Sequence, residues 1–243
     1  MRNALSETVV LLPVYRPGPQ LPALVGDLLS DGWAGIVVVD DGGGAEAAAH
    51  LARVRAAGCT VLHHRRNLGK GSALKTGLRH AASAYPGRAV VCADADGQHR
   101  AEDIRRVVTR GAPGQMVLGV RRVDRMPLRS RVGNTVTRVL FRAVTGRRVA
   151  DTQTGLRVFP GPLLGRLGAV PGAHFDYEMN VLLEAARTGL RIDQVEIPTR
   201  YLDGNAASNF SGITDSVRVY RALLRHALTT PWSSFRLRGR PDC

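Results

Sequence analysis

Along the first half of the chain, short, almost continuously apolar runs alternate with longer segments of mixed polarity. The runs Thr8–Val14, Gly35–Asp40, Cys59–His63, Ala89–Ala93 and Met116–Val120 are rich in β-branched residues and read as strands. The segments near Leu21–Ser30, Ala45–Ala56, Gly71–Ala84 and Ala101–Thr109 read as helices. A βαβα order with strands apolar on both faces predicts an α/β fold, a Rossmann-like and mostly parallel central sheet with helices on both faces. Ligands of such sheets bind beyond the carboxyl ends of the strands, so the residues following each strand carry the functional information.

The second half is less regular. It offers a helix at Arg131–Val144, a short strand at Arg157–Phe159 and a strand at Arg191–Ile197. Between those strands, Phe175, Met179, Leu182, Leu183 and Ala186 mark one face of an amphipathic helix whose other face carries Asp176 and Glu178. A last helix places Ile213, Val217, Tyr220, Leu224 and Ala227 on one stripe, with Arg218, Arg221 and Arg225 away from it. With no repeat or linker visible, the chain reads as one domain, 1–243. It divides into a regular half (8–122), a less regular half (123–220) and a basic C-terminal end (221–243).

Composition narrows the classes. An apolar fraction of 44% over 243 residues supports a sizeable core. No apolar run reaches the roughly 18–20 residues of a bilayer span. No secretory leader is visible either, so the expected location is cytoplasmic, extending to peripheral attachment at the membrane face. Three scattered cysteines, Cys59, Cys92 and Cys243, suit neither a disulfide framework nor a thiolate metal site. The net charge of +14 favours an anionic partner. Aromatics at 5% are too few for a base-stacking platform, which argues against nucleic acid as that partner.

The strand ends are acidic, glycine-rich and basic in turn. Asp94-Ala95-Asp96 puts two carboxylates on one side of an extended segment, with Gln98 as a third oxygen two residues on. Like charges so close call for a cation, and an all-oxygen set suits Mg²⁺ or Mn²⁺ completed by water and substrate phosphate. Asp40-Asp41-Gly42-Gly43-Gly44 forms an acidic turn able to accept hydrogen bonds from a ribose or base, its glycines admitting a ligand close to the backbone. Lys70 lies in Gly69-Lys70-Gly71-Ser72, which lacks the spacing of a P-loop but leaves a lysine for phosphates. Arg121, Arg122, Arg125, Arg129 and Arg131 form a cationic stretch fit to fork onto phosphate oxygens.

Taken in order, these segments resemble glycosyltransferase family 2, in its dolichol-phosphate-mannose-synthase-like and polyprenyl-phosphate glycosyltransferase branch. The matching segments are Leu12-Pro-Val-Tyr15, Val38-Val-Asp-Asp-Gly42, Asn67-Leu-Gly-Lys-Gly71, Asp94-Ala-Asp-Gly-Gln-His99, Arg131-Val-Gly-Asn134, Asp151-Thr-Gln-Thr-Gly-Leu-Arg157 and Phe175-Asp-Tyr-Glu178. Ser208-Asn-Phe210 and Asp215-Ser-Val-Arg218 complete the set. The resemblance implies a GT-A fold and an inverting, metal-dependent transfer from a UDP- or GDP-sugar to a lipid phosphate. It implies Asp94, Asp96 and Gln98 at the metal, and Pro13, Tyr15, Asp40, Asp41, Lys70, Asp94, Ala95 and Asp96 at the donor. Catalytic duties would fall to Asp96, Asp151, Gln153, Arg121 and Arg131, with Arg129, Glu178 and Ser208 on the acceptor side. Arg16-Pro17 and the triple glycine depart from the family pattern near the base. A hydroxyl acceptor, where Asp151 would take a proton, is the alternative; a non-catalytic nucleotide-binding or nucleic-acid-binding protein is a more distant one. The basic last helix with Trp232, Phe235 and the tail Arg236–Arg240 is a candidate contact with anionic membrane.

Overall fold

The computed structural model describes residues 2–122, 126–198 and 212–229. The five expected strands form as β1 (Thr8–Val14), β2 (Gly35–Asp40), β3 (Thr60–His63), β4 (Ala89–Cys92) and β5 (Met116–Arg121). Two more, β6 (Arg157–Phe159) and β7 (Ile192–Ile197), complete a seven-stranded sheet of order β3-β2-β1-β4-β6-β5-β7. All neighbours run parallel except β6, which lies antiparallel between β4 and β5. The sheet is mostly parallel, as the α/β pattern predicts. The single reversal is invisible to hydrophobic patterning, because a three-residue strand buried on both faces has no periodicity to read.

The helices α2 (Gln20–Leu29), α3 (Ala45–Ala56), α4 (Lys70–Ala84), α5 (Ala101–Arg110), α6 (Leu128–Thr145), α8 (Asp176–Thr188) and α9 (Gly212–Thr229) follow the expected order. Three short elements were not foreseen: α1 (Arg2–Ser6), a 3-10 turn at Gly161–Leu163 and α7 (Leu164–Leu167). All are too short for a periodic signal.

Strand side chains alternate between two cores, as the two-residue period of a strand demands. Val9 and Leu11 of β1 join a layer with Leu74 and Leu78 of α4, Leu182 of α8 and Leu223 of α9. Val10 and Leu12 join the opposite layer with Leu21 and Val25 of α2, Val54 of α3 and Ile104 of α5. Cys59 and Cys92 are buried as small hydrophobes.

Two readings of helix faces need correction. On α9 the buried residues are Val219 and Leu223, while Val217 and Leu224 of the expected stripe are exposed. On α8, Glu178 does not stand on a solvent face but is buried, because α4 packs against it. On α6 the inward residues include Asn134 and Thr137 beside Phe141, whereas Leu128, Val132 and Val139 are 69%, 61% and 62% exposed.

Candidate active site

Sheet register brings the informative loops to one edge. Val14 pairs with Asp40 and Asp40 with His63, so the loops after β1, β2 and β3 leave side by side. Leu11 pairs with Cys92, which puts the 94–99 loop next to them. Because β6 is antiparallel, the residues before it, 151–156, arrive at this same edge and lie between the ends of β4 and β5. A parallel β6 would carry Asp151 and Gln153 to the far side of the sheet.

At the centre stands an acidic cluster with an internal cation. The Lys70 ammonium lies 2.6 Å from Asp94 Oδ1 and 3.2 Å from Glu178 Oε1, and 5.4 Å from the centre of the Phe175 ring. Burial works to lower the Lys70 pKa, but the two carboxylates outweigh it and hold the amine charged. Burial works to raise Asp94, and Lys70 overrides it, pulling the carboxyl below its ordinary value. Asp96 is pushed up by burial and by the Asp94 charge beside it. Gln98 attends Asp96: its backbone N–H donates to Oδ1 at 3.0 Å and its side-chain amide to Oδ2 at 2.9 Å. The buried His99 accepts the Asp94 N–H on Nδ1 at 3.0 Å; its burial brings the pKa down to about 4, so the ring is neutral with its proton on Nε2. Gly155 leaves room for Asp94: a Cβ at that position would come so close to Oδ2 of Asp94 that the carboxylate would have to shift.

The glycines of the 67–71 loop make the Lys70–Glu178 meeting possible. Side chains at Gly69 or Gly71 would strike Ala173, His174 and Tyr177. The loop is tied on its other side by Asp41, which accepts the N–H groups of Leu68 (2.9 Å) and Gly69 (2.8 Å) and a bond from His64 (2.7 Å).

Beside this cluster Arg121 grips Asp151 in a fork, Nε to Oδ2 at 2.6 Å and Nη2 to Oδ1 at 3.0 Å. Asp151 is fully buried and also accepts the Gln153 N–H at 3.1 Å. Asn134 of α6 braces the loop from behind, receiving the Thr152 N–H at 3.2 Å and donating to the Ala150 carbonyl. Arg157, 1% exposed, donates to the carbonyls of Thr154 (2.9 Å), Thr152 (3.3 Å) and Glu178 (2.6 Å). It thereby locks the 151–155 loop to the first turn of α8.

On the β2 side, Asp40 accepts the Gly43 N–H at 2.8 Å and meets His63 at 3.1 Å, and Arg55 reaches His63 at 2.6 Å. A cavity of about 320 Å³ opens against Asp40, Gly42, Arg55, His63 and Arg65. Pro13 and Tyr15 are half-buried nearby, with the Arg16 guanidinium 5.3 Å from the Tyr15 ring centre.

A carboxylate pair beside a lysine and a forked arginine, at the carboxyl edge of such a sheet, is an arrangement suited to phosphorylated ligands. Comparison with known proteins identifies the lineage. The family model for glycosyl transferase family 2 matches residues 9–160, more than half of the chain. The chain belongs to glycosyl transferase family 2. It is 24% identical over 237 residues to a UDP-N-acetylglucosamine–dolichyl-phosphate N-acetylglucosaminyltransferase of Methanococcus voltae, covering 88% of this chain and 94% of that one. It is 25% identical over 242 residues to an undecaprenyl-phosphate mannosyltransferase of Micrococcus luteus, covering 95% and 98%. Such relatives are those of the polyprenyl-phosphate glycosyltransferase branch that the motifs resemble. The fold matches glucosyl-3-phosphoglycerate synthase of Mycobacterium tuberculosis, solved with Mn²⁺, UDP and glucosyl-3-phosphoglycerate, at a TM-score of 0.68 and 19% identity, over 96% of this chain and 86% of that chain. The architecture is GT-A, and the chain is a glycosyltransferase.

Of the residues singled out for this family 2 enzyme, Lys70, Asp94, Ala95, Asp96, Gln98, Arg121, Asp151, Gln153 and Glu178 share the central edge, and Pro13, Tyr15, Asp40 and Asp41 the β1–β2 side. Arg131 is exposed on the first turn of α6, two residues before Gly133, where a Cβ would meet the Gln153 amide at 3.6 Å. Ser208, the Arg129 side chain and the tail after Thr229 lie outside the described residues. Among the described residues no three His, Cys, Asp or Glu side chains converge as a closed metal cage. Asp94 and Asp96 fit instead an open two-carboxylate site for a hard cation, completed by ligand oxygens. The raised Asp96 is the sign of a charge that such a cation would relieve. Gln98 orients Asp96 through its amide nitrogen, a bond that does not use its side-chain oxygen. Two of the glycines after Asp41 are required by the protein's own packing: a Cβ on Gly42 would strike Arg66 and Asn67, and one on Gly43 would crowd Ala47 and the Arg16 backbone. His99, Gly155 and Arg157 stood within the quoted motifs without a role; a neutral ring, a missing Cβ and a buried cation reveal theirs only in contact.

Proposed function

We propose that the chain transfers a sugar from a UDP- or GDP-sugar to a polyprenyl-phosphate-type lipid, with inversion at the anomeric carbon and with Mg²⁺ or Mn²⁺ at Asp94 and Asp96. The observation that carries this reading is the Asp94–Asp96 pair set between Lys70 and Arg121 at the sheet's carboxyl edge. When bound, the cation would neutralise charge growing on the departing diphosphate. Lys70, as the first residue of α4, sets an ammonium at a helix N-terminus, where phosphate oxygens are favoured. Arg131 would add a guanidinium from α6. Pro13, Tyr15, Asp40 and Asp41 would line the nucleotide side with Ala95, Asp41 through the loop it holds. Gln153 and Glu178 would face the sugar and acceptor, joined by Arg129 and Ser208 on the acceptor side. The whole would act as one domain, with the donor in 8–122 and the acceptor in 123–220.

The choice of a phosphate acceptor draws support from Asp151. A hydroxyl acceptor would need a carboxylate to take its proton. Both Asp151 oxygens are engaged by Arg121 and one also by Gln153, so Asp151 is better suited to aiming Arg121 than to acting as a base. A lipid phosphate is already ionised near neutral pH and needs positioning alone. The names of the Methanococcus and Micrococcus relatives, each a polyprenyl-phosphate transferase, agree with that acceptor. A UDP and Mn²⁺ complex of the Mycobacterium structure agrees with the donor side.

Such an acceptor lies in a membrane, and the outward faces of α6 and α9 suit an anionic leaflet. Leu128, Val132 and Val139 on α6 and Val217, Leu224 and Leu228 on α9 are exposed among Arg131, Arg142 and Arg221. No helix among the described residues is long and apolar enough to cross a membrane; peripheral attachment at the cytoplasmic face is the mode we propose.

The test is transfer itself. The protein is incubated with Mg²⁺ or Mn²⁺, a panel of UDP- and GDP-sugars and a short polyprenyl phosphate, with glycolipid read by mass spectrometry. A sugar-phosphate-lipid is expected from one donor, and Asp96→Asn is expected to cut its formation about 10³-fold while leaving the melting temperature in place. Transfer only to hydroxyl compounds would overturn the acceptor, and full activity of Asp96→Asn would overturn the site.

A further inference from the structure

The Lys70 ammonium is shared between two carboxylates that arrive from different parts of the chain. It lies 2.6 Å from Asp94 Oδ1, at the end of β4, and 3.2 Å from Glu178 Oε1, in the first turn of α8. The place is enclosed. The Lys70 and Glu178 side chains are 16% and 10% exposed, and the Phe175 ring stands 5.4 Å from the amine. Water has little access there, so the ammonium depends on a carboxylate at hand.

Asp94 is also one of the two carboxylates suited to a hard divalent cation. An ammonium and such a cation are both drawn to its oxygens, and as like charges they repel each other at that range. The more closely Lys70 is committed to Asp94, the weaker the cation is held. Glu178 is the other carboxylate within reach of the amine, and its position is set by backbone contacts. Its main-chain carbonyl receives Arg157 Nη1 at 2.6 Å, and the hydroxyl of its buried neighbour Tyr177 donates to the Leu167 carbonyl at 3.0 Å. The Ser72 N–H donates to the Ala173 carbonyl at 3.0 Å, tying α4 to the segment that leads into α8. Lys70 carries its charge on a flexible stem, so the amine can move between its partners while both helices stay in place.

We propose that Glu178 is a positioning residue that draws the Lys70 ammonium off Asp94 and thereby sets the affinity of the Asp94–Asp96 pair for its divalent cation. The inference rests on the reading of that pair as the cation site, and it gives Glu178 a duty beside the sugar-facing one. Glu178 acts on the cation only through Lys70, so its influence vanishes once the amine is removed. An acid acting through its charge alone, or by shaping α8, keeps its influence with or without the amine.

The experiment reads cation binding rather than transfer. Mn²⁺ alone is titrated into the full chain and followed by water-proton relaxation, with folding checked by circular dichroism. Glu178→Gln and Glu178→Asp are each placed in the parent and in a Lys70→Met background. Glu178→Gln is expected to weaken Mn²⁺ roughly tenfold in the parent and less than about threefold with Lys70→Met. Glu178→Asp keeps the charge but shortens the reach to Lys70, so weakening of roughly threefold or more is expected in the parent background only, where a pure charge effect leaves affinity unchanged. Equal weakening in both backgrounds, or none by either substitution, overturns the proposal; if Glu178→Gln loses its fold, Glu178→Asp decides alone. Asp96→Asn tests the site itself and is expected to abolish Mn²⁺ binding. Unaltered binding in Asp96→Asn, or none by the parent, overturns the cation site and the proposal together. Loss in Asp96→Asn with no effect at Glu178 overturns the proposal alone.

Discussion

Single atoms decide most of what this site can do. Gly155 sits where a Cβ would overlap Oδ2 of Asp94, although its backbone conformation is open to any residue. Gly155→Ala is therefore a steric probe of the Asp94 carboxylate. Displacing a reacting group by about 1 Å costs on the order of 10²-fold in rate. We expect kcat to fall by that factor with the melting temperature nearly unmoved, and wild-type kcat would show that Asp94 tolerates displacement. Arg157 behaves differently. Its three acceptors are main-chain carbonyls, so Arg157→Met leaves buried oxygens without a donor. The expected loss is about 3–5 kcal/mol, read as a melting temperature lower by roughly 10 °C in calorimetry. The carboxylates and Lys70 were legible as site residues from composition of the loops alone. The roles of Gly155 and Arg157 were not, because a missing side chain and a buried cation declare themselves only through what surrounds them.

At the level of elements, the loops matter less than what binds them to one another. Asp41 holds the 67–69 loop by two backbone donors, and Asn134 holds the 150–152 loop from α6. Neither residue needs a ligand to explain it, whereas the acidic turn as read from sequence pointed to one. The outer face of α6 is the other element-scale finding. Its inward side carries Asn134 and Thr137 beside Phe141, and Val132 and Val139 face outward among Arg131 and Arg142, so apolar residues stand on both sides of the helix. If that face rests on lipid, Val132→Asp/Val139→Asp is expected to reduce sedimentation with anionic vesicles at least fivefold while leaving UDP or GDP binding unchanged. Equal sedimentation of the variant would remove α6 from the membrane contact. Periodicity located α6 within three residues of its observed start but could not say which side is buried.

For the whole molecule, the carboxylates at the centre are already partly compensated, because Lys70 bridges Asp94 and Glu178. The fold should therefore not depend on a cation. We expect EDTA to shift the melting temperature by less than about 2 °C, and Mn²⁺ with the cognate nucleoside diphosphate at 100 times Kd to stabilise by about 2.7 kcal/mol, or roughly 5–10 °C. A large fall with EDTA alone, measured by scanning calorimetry, would show a structural metal instead. The same bridge explains why the two carboxyls are shifted oppositely from their ordinary value: Lys70 lies on Asp94 and pulls it down, whereas burial and the like charge of Asp94 push Asp96 up.

Read alone, the sequence determined the α/β class, the order and near-limits of the long elements, and the loops that carry the chemistry. Those features are local: apolar periodicity, β-branched runs and the polar residues that follow them survive without knowledge of neighbours. Only the tertiary structure decided that β6 runs backwards and so delivers Asp151, Gln153 and Gly155 beside Asp94. It also decided that Glu178, on the face of α8 away from the predicted apolar stripe, is buried against Lys70, and that α6 leaves Leu128, Val132 and Val139 exposed. Each of those outcomes depends on which elements pack together over long sequence separations, and no window along the chain contains that information.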